Sequence, residues 1–214
     1  MASAVFFDLW NTLLYCPTPK KIREMIRQTG LEGKADYSEV KDYMDNTLFV
    51  RKDYDVERFI TDICGKYGVE CSQNQLRGAA ETWESRLAEA KYFPEVKQAL
   101  SDLKGDYSLG LISNTDRTGA EYARKTDLNK YFDCIVLSYE AGYAKPNRRI
   151  YEMAVEELGV KPAECWMVGD SVTADVEGAH KAGLNALLLD REGRHDKQRY
   201  PTIRDLTEVR MNIK

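Results

Sequence analysis

Six positions in this chain carry groups that could act together: Asp8, the pair Ser113 and Asn114, Lys145, and the acids Asp170 and Asp175. Asp8 ends an apolar run, AVFF, and is followed by Leu9, Trp10, Asn11 and Thr12. A carboxylate there is costly unless something partners it. A lysine and a hydroxyl can hold a phosphoryl group or a carboxylate. Several carboxylates converging on one point repel each other, and a divalent cation relieves that. Oxygen-only ligands favour Mg²⁺. An aspartate can also attack phosphorus and form an aspartyl-phosphate. The set reads as phosphoryl transfer with Mg²⁺.

These residues meet only if the elements before them converge. Each follows a short, nearly continuous apolar run, or a short connection after one. The runs are 4–7, 108–112, 134–137, 165–168 and 186–189, as expected for strands covered on both faces. Helical patterns occupy 94–103, 118–126, 147–158 and 174–182, with Gly183 as a C-terminal cap. Alternating strand and helix predicts a doubly wound, parallel α/β sheet. Ligands of such sheets bind beyond the carboxyl ends of the strands. Those ends offer Asp8, Ser113-Asn114-Thr115, Asp170-Ser171 and Asp190.

The stretch from about 18 to 91 differs. It shows four helical patterns, at 22–29, 37–49, 56–67 and 72–90, and no convincing strand. The expected organisation is a core from 1–15 and 91–214, with an all-helical unit of 16–90 inserted between.

Composition narrows the function. With 43% hydrophobic and 31% charged residues, the chain reads as an ordinary soluble globular protein. A net charge of −4 without a basic run argues against nucleic acid as main partner. No apolar stretch is long enough to span a membrane, and the first strand lacks the flanks of a signal peptide. Five cysteines, an odd number without metal or disulfide spacing, read as reduced thiols of a cytoplasmic protein. Two histidines leave no room for a multi-histidine metal site. The insertion's cations Lys20, Arg23, Arg51 and Lys52 read as solvated. The partner left is a small molecule, and oligomeric state is not legible.

Four motifs in order give the chain a family resemblance. They are FDLWNTL (7–13), LISNT (111–115), AKPN (144–147) and VGDSVTAD (168–175). Together they resemble the haloacid dehalogenase superfamily, which is mostly phosphatases, over nearly the whole core. The resemblance implies a Rossmann-like core with a helical cap that closes over the site and selects substrates. It makes Asp8 the nucleophile. Ser113, with Asn114 beside it, binds the transferring group, and Lys145 neutralises charge on nucleophile and phosphoryl oxygens. Mg²⁺ is held by Asp8, Asp170 and the backbone carbonyl of Trp10, with Asp175 as a further ligand or one acting at a remove.

The chain departs from the family at Trp10. Most of these phosphatases carry a second aspartate there, which protonates the leaving oxygen and later activates water. An indole cannot accept a proton at neutral pH, and such acid–base help is worth roughly 10²–10⁴-fold in rate. Two other readings follow. Metal-free 2-haloacid dehalogenases of the superfamily carry an aromatic residue at this position. However, they place a neutral residue where Asp170 stands and use an arginine early in the cap, where this chain has only Lys34 and Lys41. The remaining reading is a weakly active regulatory protein that binds phosphate and Mg²⁺ on the same scaffold.

Overall fold

The computed structural model describes residues 2–17, 21–195 and 199–213; Lys20 lies outside them. In chain order the elements are β1 (Ala4–Phe7), β2 (Leu14–Tyr15), α1 (Lys21–Thr29), α2 (Tyr37–Asn46), α3 (Val56–Lys66), α4 (Gln73–Glu89) and β3 (Lys91–Tyr92). Then come α5 (Val96–Lys104), β4 (Ser108–Ser113), α6 (Arg117–Lys125), β5 (Cys134–Leu137), α7 (Ser138–Ala141), α8 (Arg148–Leu158) and β6 (Cys165–Gly169). A π-type turn (Val172–Glu177) runs into α9 (Gly178–Lys181), followed by β7 (Asn185–Leu189), β8 (Thr202–Ile203) and α10 (Val209–Asn212).

The main sheet is parallel, in the order β5-β4-β1-β6-β7-β8. The expected doubly wound α/β architecture is therefore present. Successive side chains of β1 point to opposite faces. Val5 and Phe7 join a core with α5, α6 and α10, while Ala4 and Phe6 join a second core with α8 and α9. Phe6 sits opposite Gly110 of β4, where a Cβ would strike its ring. The chain turns from β4 and β5 on one side of β1 to β6 and β7 on the other. That reversal opens a crevice at the carboxyl end of β1, where Asp8 stands.

Helices α1 to α4 pack around a separate apolar cluster that includes Met25, Val40, Met44, Phe59, Ile60, Ile63 and Trp83. Their stops and starts follow capping chemistry. Asp55 accepts the Arg58 N–H ahead of α3, and Ser72 with Gln75 forms a capping box ahead of α4. The insertion enters and leaves through an antiparallel ribbon, Leu14 against Tyr92 and Tyr15 against Lys91. That ribbon and β8 were not expected, because two-residue strands carry no readable period. Arg23, Arg51 and Lys52 are exposed, as read. The expected helix at 174–182 starts two residues earlier and with a wider first turn. Among the described residues, no helix is long and apolar enough to cross a membrane.

Candidate active site

Asp8 extends β1 by one hydrogen bond, its N–H donating to the Val168 carbonyl at 2.9 Å. Its carboxylate is buried and accepts from Lys145 Nζ at 2.7 Å. The same ammonium donates to Asp175 Oδ1 at 2.7 Å. One oxygen each of Asp8, Asp170 and Asp175 lies within 4.8 Å of the others. The sequence motifs at 8, 145, 170 and 175 therefore converge.

Local structure explains the convergence. Gly169, the last residue of β6, leaves room for Asp175, since a Cβ there would fall inside the Asp175 carboxyl. The π-type turn then brings Asp175 back against the strand end. Asp175 Oδ2 accepts the Ser171 N–H at 2.9 Å, and Tyr151 donates its hydroxyl to the Ala174 carbonyl. After β1 the chain turns tightly, with Leu13 and Leu14 donating to the Leu9 carbonyl and Asn11 at φ 60°. Asparagine tolerates that left-handed conformation better than most residues.

Electrostatics mark the cluster. Burial pushes the Asp8 carboxyl up to about 6, against the pull of Lys145. Burial, then the charges of Asp8 and Asp175, push Asp170 up to about 8, with the Lys145 charge and then a hydrogen bond from Asn11 working the other way. Burial works against the Lys145 ammonium too, but Asp175 and Asp8 outweigh it and hold its pKa above the ordinary lysine range. Three carboxylates thus share one lysine as counter-charge. Their hard donor set and spacing fit Mg²⁺.

The other predicted positions take distinct places. Ser113 ends β4 fully buried, and its hydroxyl has no partner among the described residues. The Asn114 amide is engaged with Lys145: Oδ1 accepts the Lys145 N–H at 2.7 Å, and Nδ2 donates to the Lys145 carbonyl at 2.8 Å. Asp190, also at a strand end, is drawn away from the cluster and accepts the N–H groups of Arg194 and His195. Trp10 is half-buried, its ring stacked on Tyr122 at 6.4 Å and 6.0 Å from the Arg86 guanidinium.

A cavity of about 590 Å³ lies over the cluster. The core lines it with Asp8, Asn114, Lys145 and Asp170, and the insertion with Lys41, Asp45, Phe49, Trp83 and Arg86 among others. Arg86 fastens the insertion to the core. It pairs with buried Asp116 at 2.5 Å, and the same carboxylate accepts Trp83 Nε1 at 2.6 Å and the Gly119 N–H at 2.8 Å. Asn11, Asp45 and Arg86 were not anticipated from sequence. Arg86 did leave a signal, falling on the buried stripe of α4 formed by Leu76, Ala79, Ala80 and Trp83.

The family model of haloacid dehalogenase-like hydrolases matches residues 2–183. The chain belongs to that family. The mouse (Mus musculus) N-acylneuraminate-9-phosphatase is 31% identical over 212 residues, covering 89% of this chain and 84% of the relative. Among solved haloacid dehalogenase-like folds, a 2-haloacid dehalogenase from Pseudomonas syringae superposes with TM-score 0.64 at 21% identity, over 99% of this chain and 98% of its own. Magnesium-bound YfnB from Bacillus subtilis superposes with TM-score 0.66 at 18% identity, over 98% and 97%. At those identities the two structures speak to the fold alone.

Proposed function

We propose that this hydrolase is a Mg²⁺-dependent phosphatase of small phosphomonoesters, working through a phosphoenzyme on Asp8. The observation that carries the reading is the trio Asp8, Asp170 and Asp175, one oxygen of each within 4.8 Å of the others, with Lys145 paired to Asp8 and Asp175. The similarity to a phosphatase relative supports it. A cavity of about 590 Å³ suits a small metabolite.

Asp8, Asp170 and the Trp10 carbonyl would hold the ion. Asp175, whose oxygens already accept from Lys145 and Ser171, would act at a remove. Bound there, Mg²⁺ neutralises the carboxylates and the phosphoryl oxygens. Asp8 attacks phosphorus. Lys145, fixed by Asn114 through its own backbone, offsets charge on the nucleophile and the transferring group. The Ser113 hydroxyl, with no partner among the described residues, would be free to donate to a phosphoryl oxygen. The insertion covers the cavity and excludes water. Five cysteines without a disulfide suit a reducing, cytoplasmic setting.

Asp170 also weighs against the dehalogenase reading. A 2-haloacid would bring its own carboxylate beside Asp8 and Asp170, with only Lys145, already paired to Asp8 and Asp175, to offset the charge. The test is hydrolysis of an aryl phosphate with Mg²⁺ or with chelator. Phosphate release that chelator stops is expected. Chelator-insensitive chloride release from 2-chloropropionate, with no phosphate release, would sink the reading. Mg²⁺ binding without turnover of either substrate would point to the regulatory module.

A further inference from the structure

Attack by Asp8 leaves negative charge on the departing oxygen. In an in-line displacement that oxygen lies across phosphorus from the nucleophile, and an alkoxide leaves slowly without a proton. The water that later frees Asp8 approaches along the same line, from the place just vacated, with a proton to lose. One group on that side could therefore serve both steps. Trp10 cannot, because its indole only donates.

Asp8 faces the cavity from the core, so the far side belongs to the insertion. Among the described insertion residues that line the cavity, the only carboxylate is Asp45, in the last turn of α2. Lys21 donates to Ser85 and Glu89, and Arg86 is bound to Asp116. His195 reaches the cavity from the loop after β7 and is exposed. The Asp45 side chain is 14% exposed. Its Oδ2 accepts from Lys41 Nζ at 2.7 Å, and its Oδ1 accepts from Asn114 Nδ2 at 3.3 Å. That same Asn114 nitrogen holds the Lys145 carbonyl. Asp45 thus stands one residue away from the segment that carries the lysine of Asp8. Burial raises the Asp45 carboxyl above its ordinary range, with Lys41 and Asn114 pulling it down and Asp42 adding to the rise.

We propose that Asp45, on the phosphatase reading above, is the general acid and then the general base of the reaction. In the first step an Asp8 oxygen bonds to phosphorus, the bond to the leaving oxygen breaks, and that oxygen takes the Asp45 proton. In the second step Asp45 takes a proton from water as the water oxygen bonds to phosphorus. The Asp8–phosphorus bond breaks, its electron pair returns to the Asp8 carboxylate, and inorganic phosphate leaves.

The test is Asp45→Asn with p-nitrophenyl phosphate and Mg²⁺. Nitrophenolate leaves without a proton, so the first step survives and the second fails. The expected result is a burst of about one nitrophenolate per enzyme, a phosphoryl mass retained on Asp8, and steady-state turnover down about 10²–10⁴-fold. Asp45→Glu, which keeps an acid, should recover part of that loss. Steady-state turnover near wild type overturns the proposal, and so does equal loss of burst and steady state, since that is what a positioning role through Asn114 gives. If Asp45→Asn does not fold, Asp45→Ser against Asp45→Glu reads the same two phases. A wild type that releases no phosphate fails the phosphatase reading itself, which the variants alone cannot do.

Discussion

Lys145 holds two carboxylates at 2.7 Å each while itself buried. Losing different members of this trio therefore has unequal effects. Lys145→Met leaves Asp8 and Asp175 facing each other without their cation, and should cost about 3–5 kcal/mol of stability in urea unfolding. Asp8→Asn removes a charge that the fold holds unfavourably, as its rise to about 6 shows. Its stability at pH 8 should match or exceed wild type while phosphate release is lost. An Asp8→Asn variant less stable than Lys145→Met would contradict this picture. Asp8, Lys145, Asp170 and Asp175 were legible because strand ends in a doubly wound sheet point at one place. Asn11, Asp45 and Arg86 were not, since their roles depend on which element lies opposite, and one sequence does not state that. For Asn114 the neighbourhood was legible but not the partner, which is the Lys145 backbone.

The elements that place these groups depend on close approach. Gly169 lets the Asp175 carboxyl lie against the end of β6. Gly169→Ala would drive its methyl into that carboxyl and move Asp175 off Lys145. We expect a loss of about 1–3 kcal/mol from overpacking and Mg²⁺ affinity lower by about 10–100-fold, as for residues that orient a metal's ligands. Calorimetric titration with Mg²⁺ measures the second effect, and unchanged affinity would mean that Asp175 has no part in the metal site. The five longer strands were readable from nearly continuous apolar runs. The π-type turn was not, since the periods of α- and π-type turns differ too little to separate within six residues. The β2–β3 ribbon was hidden for a related reason: its pairing depends on two segments brought together by everything between them.

At the scale of the whole molecule, the acid cluster should tie stability to pH and metal. Without metal, Asp8 titrates near 6 and Asp170 near 8, both from ordinary values of 3.8. Between those limits the folded chain holds more protons than the unfolded one, so stability falls as pH rises through about 4 to 8. In chelator, Tm should drop across that window, Mg²⁺ should restore it at the alkaline end, and Asp170→Asn should flatten the slope. A chelated Tm that climbs from pH 5 to 8 would show that other groups dominate.

Two polar contacts between insertion and core, at Arg86 and at Asp45, are not alike. Arg86 and Asp116 form a buried, doubly supported charge pair, and separating them would strand both charges. Asp45 and Asn114 share one 3.3 Å hydrogen bond that is only partly buried. The insertion is riveted at the foot of α4 and only latched at the end of α2. Tilting about α4 would leave the buried pair in place and release the weaker hold at α2. Opening the cavity on the α2 side would therefore cost less than opening it at α4, and would carry Asp45 away from Asn114.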